Sequence, residues 1–314
     1  MSIIDFGKGH RRLQGEMKDA GPYRVHKNAN LYLDLGPACN AVCPFCITRT
    51  RTPYGGKPLQ EGEWLAALGR LYKKWGDLFA SVSFLGGEPL LYARKMAAAL
   101  SIHERMHGGK SVATTNGIRR EFLANLPLLC RFSHVNISRN ASGEAANRAL
   151  FKSSRPLLSM TDMKKLPAAL KGRLRINANC LRGQIDSLGK IGRFVEKARR
   201  CGIPEVCFVE LNTLDDGGYH PDVHAFTDRN MVDISPFAAA FARKGRIVKR
   251  VSGPYYHTLI VKDGGMTVLF KSNDMNHMRR LDFDASDENE IFELVFRPDG
   301  RLYGSWHNIK EIPV

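Results

Sequence analysis

Three closely spaced cysteines follow an apolar run in the first part of the chain. Residues 39–46, CNAVCPFC, place Cys39, Cys43 and Cys46 at a CxxxCxxC spacing directly after the run 31–35. The run predicts a strand, and the cysteines then lie on the loop at its carboxyl end. Three thiolates on one short loop can hold three corners of a cubane iron–sulfur cluster. The fourth iron then has no protein ligand and is open to a substrate or cosubstrate.

Other uses of these cysteines stay open on the spacing alone. A closed structural zinc site needs a fourth protein ligand, and no other Cys or His lies nearby in the sequence. A disulfide framework is disfavoured because the chain has seven cysteines, an odd number. A chance cluster is the third alternative. The four remaining cysteines are scattered singly, at Cys130, Cys180, Cys201 and Cys207.

A second motif, Gly-Gly-Glu-Pro at residues 86–89, follows the next apolar run, 81–85. Its glycines let the backbone approach a ligand closely and adopt positive φ. Glu88 supplies an anion that can pair with an ammonium group, and Pro89 fixes the turn. Alone this sequence is typical of an ordinary turn. Its position some 40 residues after the cysteines, at the end of the next predicted strand, makes it informative.

The two motifs together resemble the radical S-adenosylmethionine (SAM) superfamily. The resemblance implies one [4Fe–4S] cluster held by the three cysteines, which are the catalytic centre, and SAM bound at the open iron. It also implies that the GGE motif holds the amino group of SAM, that Asn116 belongs to a matching TNG step, and that Ser138 and Arg139 lie near the ribose and carboxylate. For Arg139, an ion pair with a surface carboxylate is the alternative. The candidates for the SAM site are Phe45, Gly86, Gly87, Glu88, Asn116, Ser138, Arg139 and Asn177.

Six predicted strands alternate with helical patterns, which indicates βα units and a parallel sheet. The strands are predicted at 30–35, 81–85, 111–114, 132–138, 174–180 and 205–211. The motifs fall at carboxyl ends of these strands, where barrel-like sheets collect their chemistry. The predicted fold is α/β and resembles the partial six-stranded parallel (β/α)6 barrel of radical SAM cores. The core is predicted at 30–213, after an N-terminal leader at 1–29.

A C-terminal extension, 214–314, breaks this rhythm with short alternating runs separated by Asp-Gly turns. We expect β-hairpins that close the open side of the barrel beside strand six. Arg297 is the leading contact for an anionic substrate, and an ion pair with Glu293 is the alternative. Cys207 is expected to pack on the face of strand six opposite Glu210. The candidate substrate residues are Glu210, Asn212, Tyr255, His257, Lys271 and Arg297.

Strand six and the segment 292–303 are similar to the GTP cyclase of molybdenum-cofactor biosynthesis and its relatives. Those relatives carry further cysteines for an auxiliary cluster, whereas this chain has none after Cys207. A second cluster bound by its own cysteines is therefore excluded. The cyclisation of GTP by that route is in doubt, as is peptide chemistry that depends on auxiliary clusters.

The chain has 314 residues and a formal net charge of +16, which favours an anionic partner. The predicted reaction is reductive cleavage of SAM to a 5′-deoxyadenosyl radical, which removes hydrogen from a small anionic substrate such as a nucleotide, nucleoside or sugar derivative. The outcome is rearrangement, cyclisation, oxidation or epimerisation. The alternatives are a peptide- or protein-modifying enzyme, an RNA-modifying enzyme that uses the basic stretch 148–175, and a non-catalytic metal protein. Nucleic acid is not the favoured partner because no aromatic residues are interleaved with those basic residues.

The surroundings of the protein are also constrained by its sequence. No apolar run approaches transmembrane length, and residues 1–21 have no signal-peptide pattern. Reduced cysteines and an exposed cluster predict a cytoplasmic location without a membrane partner. The resemblance further implies an electron donor such as flavodoxin or ferredoxin.

Overall fold

The computed structural model describes residues 15–46, 48, 56–211, 220–253, 255–274, 276–278, 290–307 and 310–314. The strands are β1 (Met17–Ala20), β2 (Tyr23–Asp34), β3 (Phe79–Leu85), β4 (Lys110–Thr115), β5 (His134–Ser138), β6 (Leu174–Cys180), β7 (Glu205–Glu210), β8 (Arg246–Ser252), β9 (Tyr256–Asp263), β10 (Met266–Asn273), β11 (Glu290–Phe296), β12 (Leu302–Tyr303) and β13 (Glu311–Ile312). The helices are α1 (Glu61–Trp75), α2 (Ala93–Met106), α3 (Arg119–Ala124), α4 (Leu126–Leu129), α5 (Glu144–Phe151), α6 (Met160–Lys164), α7 (Ala168–Lys171), α8 (Leu188–Arg200), α9 (Pro221–Asn230) and α10 (Ser235–Lys244).

Within the described residues all thirteen strands join one sheet, in the order β13-β12-β11-β2-β3-β4-β5-β6-β7-β10-β9-β8, with β1 on β2. Neighbouring strands from β11 to β10 along this order run parallel, and the flanking pairs are antiparallel. The predicted α/β fold with a parallel sheet is confirmed. The six predicted core strands are β2 to β7, and β10 and β11 extend the parallel part at either side.

The first core strand starts earlier than its sequence pattern predicts, at Tyr23 rather than residue 30. Residues 15–29, expected as part of a leader, therefore form β1 and the first half of β2. Asn28 adopts φ 67° and a register shift follows at 29–30, so the alternation of buried and exposed residues is interrupted there. The hydrogen-bonding partners of this half are β1 and the distant β11. A local pattern cannot reveal the latter.

The sheet has a helix-covered face and an opposite face, which we call the open face. On the helix-covered face, Phe208 of β7 lies 5.7 Å from the ring of Phe194 on α8, and Phe241 on α10 lies 5.3 Å from Phe270 of β10. Alternation puts the neighbouring residues on the open face. Ser138, Asn177, Cys207 and Leu269 stand in one row there, across β5, β6, β7 and β10.

The extension does not stay at one side of the core. The β9–β10 hairpin pairs with β7, the sixth core strand, as predicted. The β11–β12 hairpin instead pairs with β2, at the opposite edge of the core. The expectation that the whole segment 253–306 packs beside strand six is therefore wrong for its second hairpin. Both hairpins have the same local pattern, and only their long-range pairing distinguishes them.

An ionic cluster lies on the open face at the amino ends of the strands. Glu205 on β7 accepts a hydrogen bond from Arg175 Nε at 2.9 Å, and His134 Nε2 lies 3.1 Å from its carboxylate. Burial alone would raise the pKa of Glu205, but His134 and Arg175 outweigh it and lower this pKa to about 2. This end of the open face is therefore occupied by protein charges that compensate each other, away from the motifs.

No helix in the described part of the chain is long and apolar enough to span a bilayer.

Candidate active site

The carboxyl ends of the parallel strands bring the sequence motifs to one edge of the sheet. The cysteine loop follows β2, the Gly-Gly-Glu-Pro turn follows β3, and Asn116 follows β4. Ser138 ends β5 beside Asn177 of β6, with which it pairs in register. The candidates from five successive strands therefore lie along the same edge, as expected for parallel strands.

The two glycines of the turn contact the start of the cysteine loop. Gly87 N–H donates to Gly36 O at 2.8 Å, and Glu88 N–H donates to Ala38 O at 2.8 Å. A Cβ on Gly87 would lie 2.2 Å from Ala38 O, and Gly86 has φ 141°. These positions therefore need glycine so that the two backbones can approach each other. The sequence predicted close approach to a ligand, and it gave no sign of this contact with the cysteine loop.

Two further contacts fix the cysteine loop from other elements. Asn116 Nδ2 donates to Asn40 Oδ1 at 2.7 Å and lies 3.9 Å from Cys39 Sγ. Val42 N–H donates to Phe151 O, at the end of α5, at 3.0 Å. The loop is thus attached to the ends of β3, β4 and α5. These contacts fix the path of the loop at three points.

All three motif cysteines are free thiols, with Cys39 exposed and Cys43 and Cys46 half-buried. Burial raises the pKa of the half-buried Cys43 thiol, because a bare thiolate is poorly solvated there. Among the described residues, no three His, Cys, Asp or Glu side chains are grouped to hold a metal ion. A cubane cluster needs one thiolate on each of three irons, and iron would compensate the buried negative charge. In donor type and number the loop fits a cubane held by Cys39, Cys43 and Cys46.

Phe45 packs its ring among other aromatic residues of this region. Its centroid lies 6.3 Å from that of Phe151 on α5, in an edge-to-face arrangement, and 6.1 Å from that of Phe226 on α9. The ring therefore helps to hold the last turn of the cysteine loop against two helices. A contact of Phe45 with SAM stays a prediction.

Glu88 is almost completely buried, with 1% of its surface exposed. Its carboxylate accepts hydrogen bonds from Thr115 Oγ1 at 2.7 Å, Asn116 N–H at 2.8 Å and Leu90 N–H at 3.1 Å. Burial raises the pKa of this carboxyl, and the hydrogen bonds from Asn116, Thr115 and Leu90 oppose that rise. Glu88 therefore joins the ends of β3 and β4. Its predicted contact with the SAM ammonium group would be an additional role.

Arg139 is also buried, and its guanidinium donates to backbone oxygens rather than to a surface carboxylate. It binds Leu158 O, Ser138 O, Asn116 O and Gly117 O. Burial lowers its pKa to about 10, which leaves it charged at neutral pH. Arg139 thus holds the Asn116–Gly117 turn through hydrogen bonds to its carbonyl oxygens. It also places a positive charge next to this turn. The predicted direct contact with SAM is not favoured by a side chain that is 1% exposed.

Several buried amide atoms along this edge have no hydrogen-bond partner. They are Asn40 Nδ2, Asn136 Oδ1, Asn140 Nδ2 and Asn177 Oδ1. Buried polar atoms are normally paired, so this row of amide atoms suits a polar ligand at the edge. Asn177 was predicted for the site. Asn136 of β5 was expected near the site, on the same strand face as Ser138, but it was not named as a binding residue. Asn140 was not predicted for the site, although its place at a strand end was the available signal.

Glu210 and Cys207 occupy the reverse of their predicted faces. Glu210 continues the helix-covered side of β7, where Ile234 N–H and Ser272 Oγ donate to its carboxylate and burial raises its pKa. Cys207 pairs in register with Asn177 and shares the open face. The prediction assigned Cys207 to packing, and it is buried, but on the side of the candidate site. Asn212 lies outside the described residues.

The candidates on the β9–β10 hairpin divide between the two faces. Lys271 lies on the open face in register with Val209, and its Nζ is 5.6 Å from the Tyr256 ring. Tyr255 precedes β9 and packs edge-to-face on Tyr256. His257 lies on the helix-covered side with its Nδ1 3.0 Å from Ser252 Oγ. The structure therefore brings Lys271 to the site and turns His257 away from it.

Arg297 does not extend into open space. It is 1% exposed, and its Nη1 lies 3.2 Å from Asp34 Oδ2 at the end of β2. Its Nη2 donates to Trp306 O. The acid partner is therefore Asp34 rather than the anticipated Glu293. This buried ion pair joins β11 to the strand that leads into the cysteine loop, and it disfavours the predicted substrate role.

The comparisons with known proteins agree with this arrangement. Residues 33–154 match the family described as the Radical SAM superfamily. A search of curated proteins finds no match. Among solved structures, SuiB from Streptococcus suis is 15% identical, with a TM-score of 0.53 over 88% of this chain and 60% of that chain. Native anSMEcpe with bound AdoMet and Cp18Cys peptide is 10% identical, with a TM-score of 0.50 over 89% of this chain and 74% of that chain.

These structural likenesses concern the fold, and the chain spans three fifths of the length of that SuiB chain. They do not single out the GTP cyclase branch. The family match covers the cysteine loop, the Gly-Gly-Glu-Pro turn and strands β3 to β5. Members of the superfamily use a [4Fe–4S] cluster and SAM, which the three-cysteine loop and the unpaired amide edge fit. Residues 33–154 of the chain therefore form a radical SAM superfamily domain.

Proposed function

We propose that this enzyme removes a hydrogen atom from a small substrate that carries an anionic group. The observation that supports the anionic group is Lys271. This lysine lies on the open face towards the carboxyl ends of the strands, and it forms no ion pair with the described residues. It stands in register with Val209, which in turn pairs with Asn179 of β6. A cation beside a row of amides suits a polar anion such as a nucleotide, a sugar phosphate or a carboxylate.

The residues around the site have separate tasks in this proposal. Cys39, Cys43 and Cys46 would hold the cluster, which when bound supplies the electron for reductive cleavage of SAM. The Gly86–Gly87 turn and Asn116 hold the cysteine loop in place. Asn136 and Asn177 offer unpaired amide oxygens to polar ligand atoms.

The test uses anaerobically reconstituted enzyme reduced with dithionite. It would be incubated with SAM and matched pairs of anionic and neutral compounds, such as nucleotides with nucleosides and sugar phosphates with sugars. We expect an anionic member to yield product together with 5′-deoxyadenosine. Equal turnover of the neutral partners would contradict the anionic assignment.

Variants of Lys271 separate binding of the substrate from the rest of the reaction. Lys271→Ala should lower product formation at least tenfold, the effect of losing about 1.4 kcal/mol of transition-state binding, while slow cleavage of SAM persists. Lys271→Arg should recover much of the product. Lys249→Ala, on the exposed strand β8, is the matched control and should behave like the wild type. Full product yield from Lys271→Ala would remove this residue from the site.

A peptide substrate is the second candidate. The observation that favours it is the fold shared with anSMEcpe, whose structure contains a bound peptide. Residues 208–314 hold no cysteine that could bind an auxiliary cluster. Modification of a peptide in the same assay, with no product from the small anions, would replace the first proposal with this one.

A further inference from the structure

A basic helix surface adjoins the cysteine loop, and the proposed reaction does not use it. Arg148 and Lys152 lie one turn apart at the carboxyl end of α5, and both are exposed. With Ala145, Ala149 and Ser153 they line a shallow depression. Neither of these basic side chains forms an ion pair with a residue in the described part of the chain. The surface therefore presents two uncompensated positive charges between small side chains.

This surface is continuous with the loop of the three cysteines. Val42 N–H donates to the carbonyl of Phe151, the residue that directly precedes Lys152. The Val42 side chain, between Cys39 and Cys43, is 55% exposed. Ala41 and Phe151 share a small apolar cluster beneath this contact. An exposed aliphatic residue on the cysteine loop and two cations on α5 thus form one patch, which we call the α5 patch: Val42, Ala145, Arg148, Ala149 and Lys152.

Two other basic residues of the stretch 148–175, Arg155 and Arg173, do not extend this patch into a long groove. Arg155 pairs with Glu121, and Arg173 donates to the carbonyls of Cys130 and Phe132. Their charge is compensated or directed into the protein. A backbone-tracking site for RNA needs a continuous row of cations with aromatic platforms, which the described part of this stretch does not provide. A small, local patch instead suits a brief encounter with a compact partner.

We propose that the α5 patch is the docking site of an acidic one-electron donor protein of the flavodoxin or ferredoxin class. This rests on the proposed function, because a cluster held by Cys39, Cys43 and Cys46 must receive one electron for each reductive cleavage. In that transfer the donor loses one electron and the cluster gains it, and no bond forms or breaks. Electron transfer slows steeply with distance, so the donor must approach the cysteine loop. Opposite charges on the two proteins raise the rate of encounter.

The test compares two reductants with the same reconstituted enzyme. An acidic flavodoxin, reduced to its hydroquinone, requires docking, whereas dithionite does not. The variant Arg148→Glu/Lys152→Glu should lower the second-order rate of cluster bleaching by the flavodoxin at least tenfold at low salt. The rate at which flavodoxin reduces this variant should also depend much less on salt concentration than the rate for the wild type does. Bleaching by dithionite and dithionite-supported SAM cleavage should stay within twofold of the wild type.

The matched control places the same charge change elsewhere. Arg70→Glu/Lys73→Glu alters two exposed residues in the second half of α1, which leads to the amino end of β3. It should change the flavodoxin rate less than twofold. An equal loss in both double variants would show a net-charge effect and overturn the docking site. A wild-type flavodoxin rate in Arg148→Glu/Lys152→Glu would also overturn the docking site. That holds equally if this variant loses affinity for a structured RNA.

A second measurement needs no variant and no turnover. Carbodiimide cross-linking of wild-type enzyme to the flavodoxin should join Lys152 to a flavodoxin carboxylate, and salt should suppress this product. Cross-links confined to other lysines would contradict the proposal. Because this measurement uses the wild-type enzyme, it still tests the docking site if the double variant fails to fold. If dithionite produced no SAM cleavage in the wild type, the proposed function would fail while the cross-link could still be found. The two failures are therefore distinguishable.

Discussion

The guanidinium of Arg297 lies 3.2 Å from the carboxylate of Asp34, although 263 positions separate the two residues. Both side chains are 1% exposed. Asp34 ends β2, and its Oδ1 accepts from Gly36 N–H at 3.3 Å, where the cysteine loop begins. The pair therefore connects the C-terminal hairpin with the entrance of the cysteine loop.

Removing Arg297 takes a charged partner away from the buried Asp34 carboxylate. We expect Arg297→Ala to lower the free energy of unfolding by about 3–5 kcal/mol. It should also lower the iron retained after reconstitution, because this ion pair joins β11 to the strand that leads into the cysteine loop. Arg301→Ala, which breaks the exposed pair with Glu311 in the same region, should leave both quantities nearly unchanged. Wild-type stability of Arg297→Ala in urea titrations would contradict this role.

A side chain at Gly87 should displace the cysteine loop. The Cβ of Gly87→Ala would meet the backbone oxygens of Ala38 at 2.2 Å and Pro37 at 2.5 Å, and neither can move without shifting the loop. We expect severalfold less bound iron and weaker SAM binding. Gly69→Ala on α1 has open space around its Cβ and should stabilise the protein by up to about 1 kcal/mol. Iron analysis and urea titration of the two variants check this, and normal iron content in Gly87→Ala would refute it.

Glu88→Gln separates support of the turn from binding of SAM. Its amide group would face a backbone N–H or the Thr115 hydroxyl, so stability should fall by about 1–3 kcal/mol. If the carboxylate also binds the SAM ammonium, SAM affinity should fall at least tenfold. Thr115→Val removes one hydrogen bond to Glu88 but keeps its charge, and should leave SAM affinity close to wild type. Equilibrium binding of SAM to both variants tests this. If Glu88→Gln bound SAM as tightly as the wild type does, Glu88 would have only a structural role.

Single alanine substitutions should separate the cysteines that are essential for SAM cleavage from those that are not. Reconstituted wild-type protein should hold about four irons per chain, as one cubane implies. Replacing Cys39, Cys43 or Cys46 should abolish SAM cleavage. Replacing any one of the other four cysteines should leave cleavage intact. A reproducible count near eight irons would overturn the single cluster.

Glu205 should make stability depend on acid pH. Its pKa falls from 4.5 to about 2 in the folded protein, so its contribution is complete above about 4.5 and is lost as the pH falls towards 2. The shift corresponds to roughly 3 kcal/mol, and because the side chain is 25% exposed we expect about 2 kcal/mol. Urea titrations between pH 7 and pH 3 should show this extra loss in the wild type and not in Glu205→Gln. Parallel pH curves for the two proteins would argue against it.

The sequence by itself determined the chemistry and the core. The CxxxCxxC spacing, the Gly-Gly-Glu-Pro turn and six alternations of strand and helix predict a parallel sheet with a SAM site at its carboxyl edge. The strand 174–180 matches β6 residue by residue, because its alternation is regular and unbroken. These features depend on residues close together in the chain, which local patterns record.

The tertiary structure decided what depends on distant pairing. The pairing of β11 with β2 brings Arg297 next to Asp34, and no local sequence pattern indicates this ion pair. The tertiary structure also fixed the register that turns Cys207 to the open face and Glu210 away from it. A strand's alternation shows which residues share a face but not which face meets the helices. That choice follows from the packing of Phe208 and Phe270 against α8 and α10, which exists only in the folded chain.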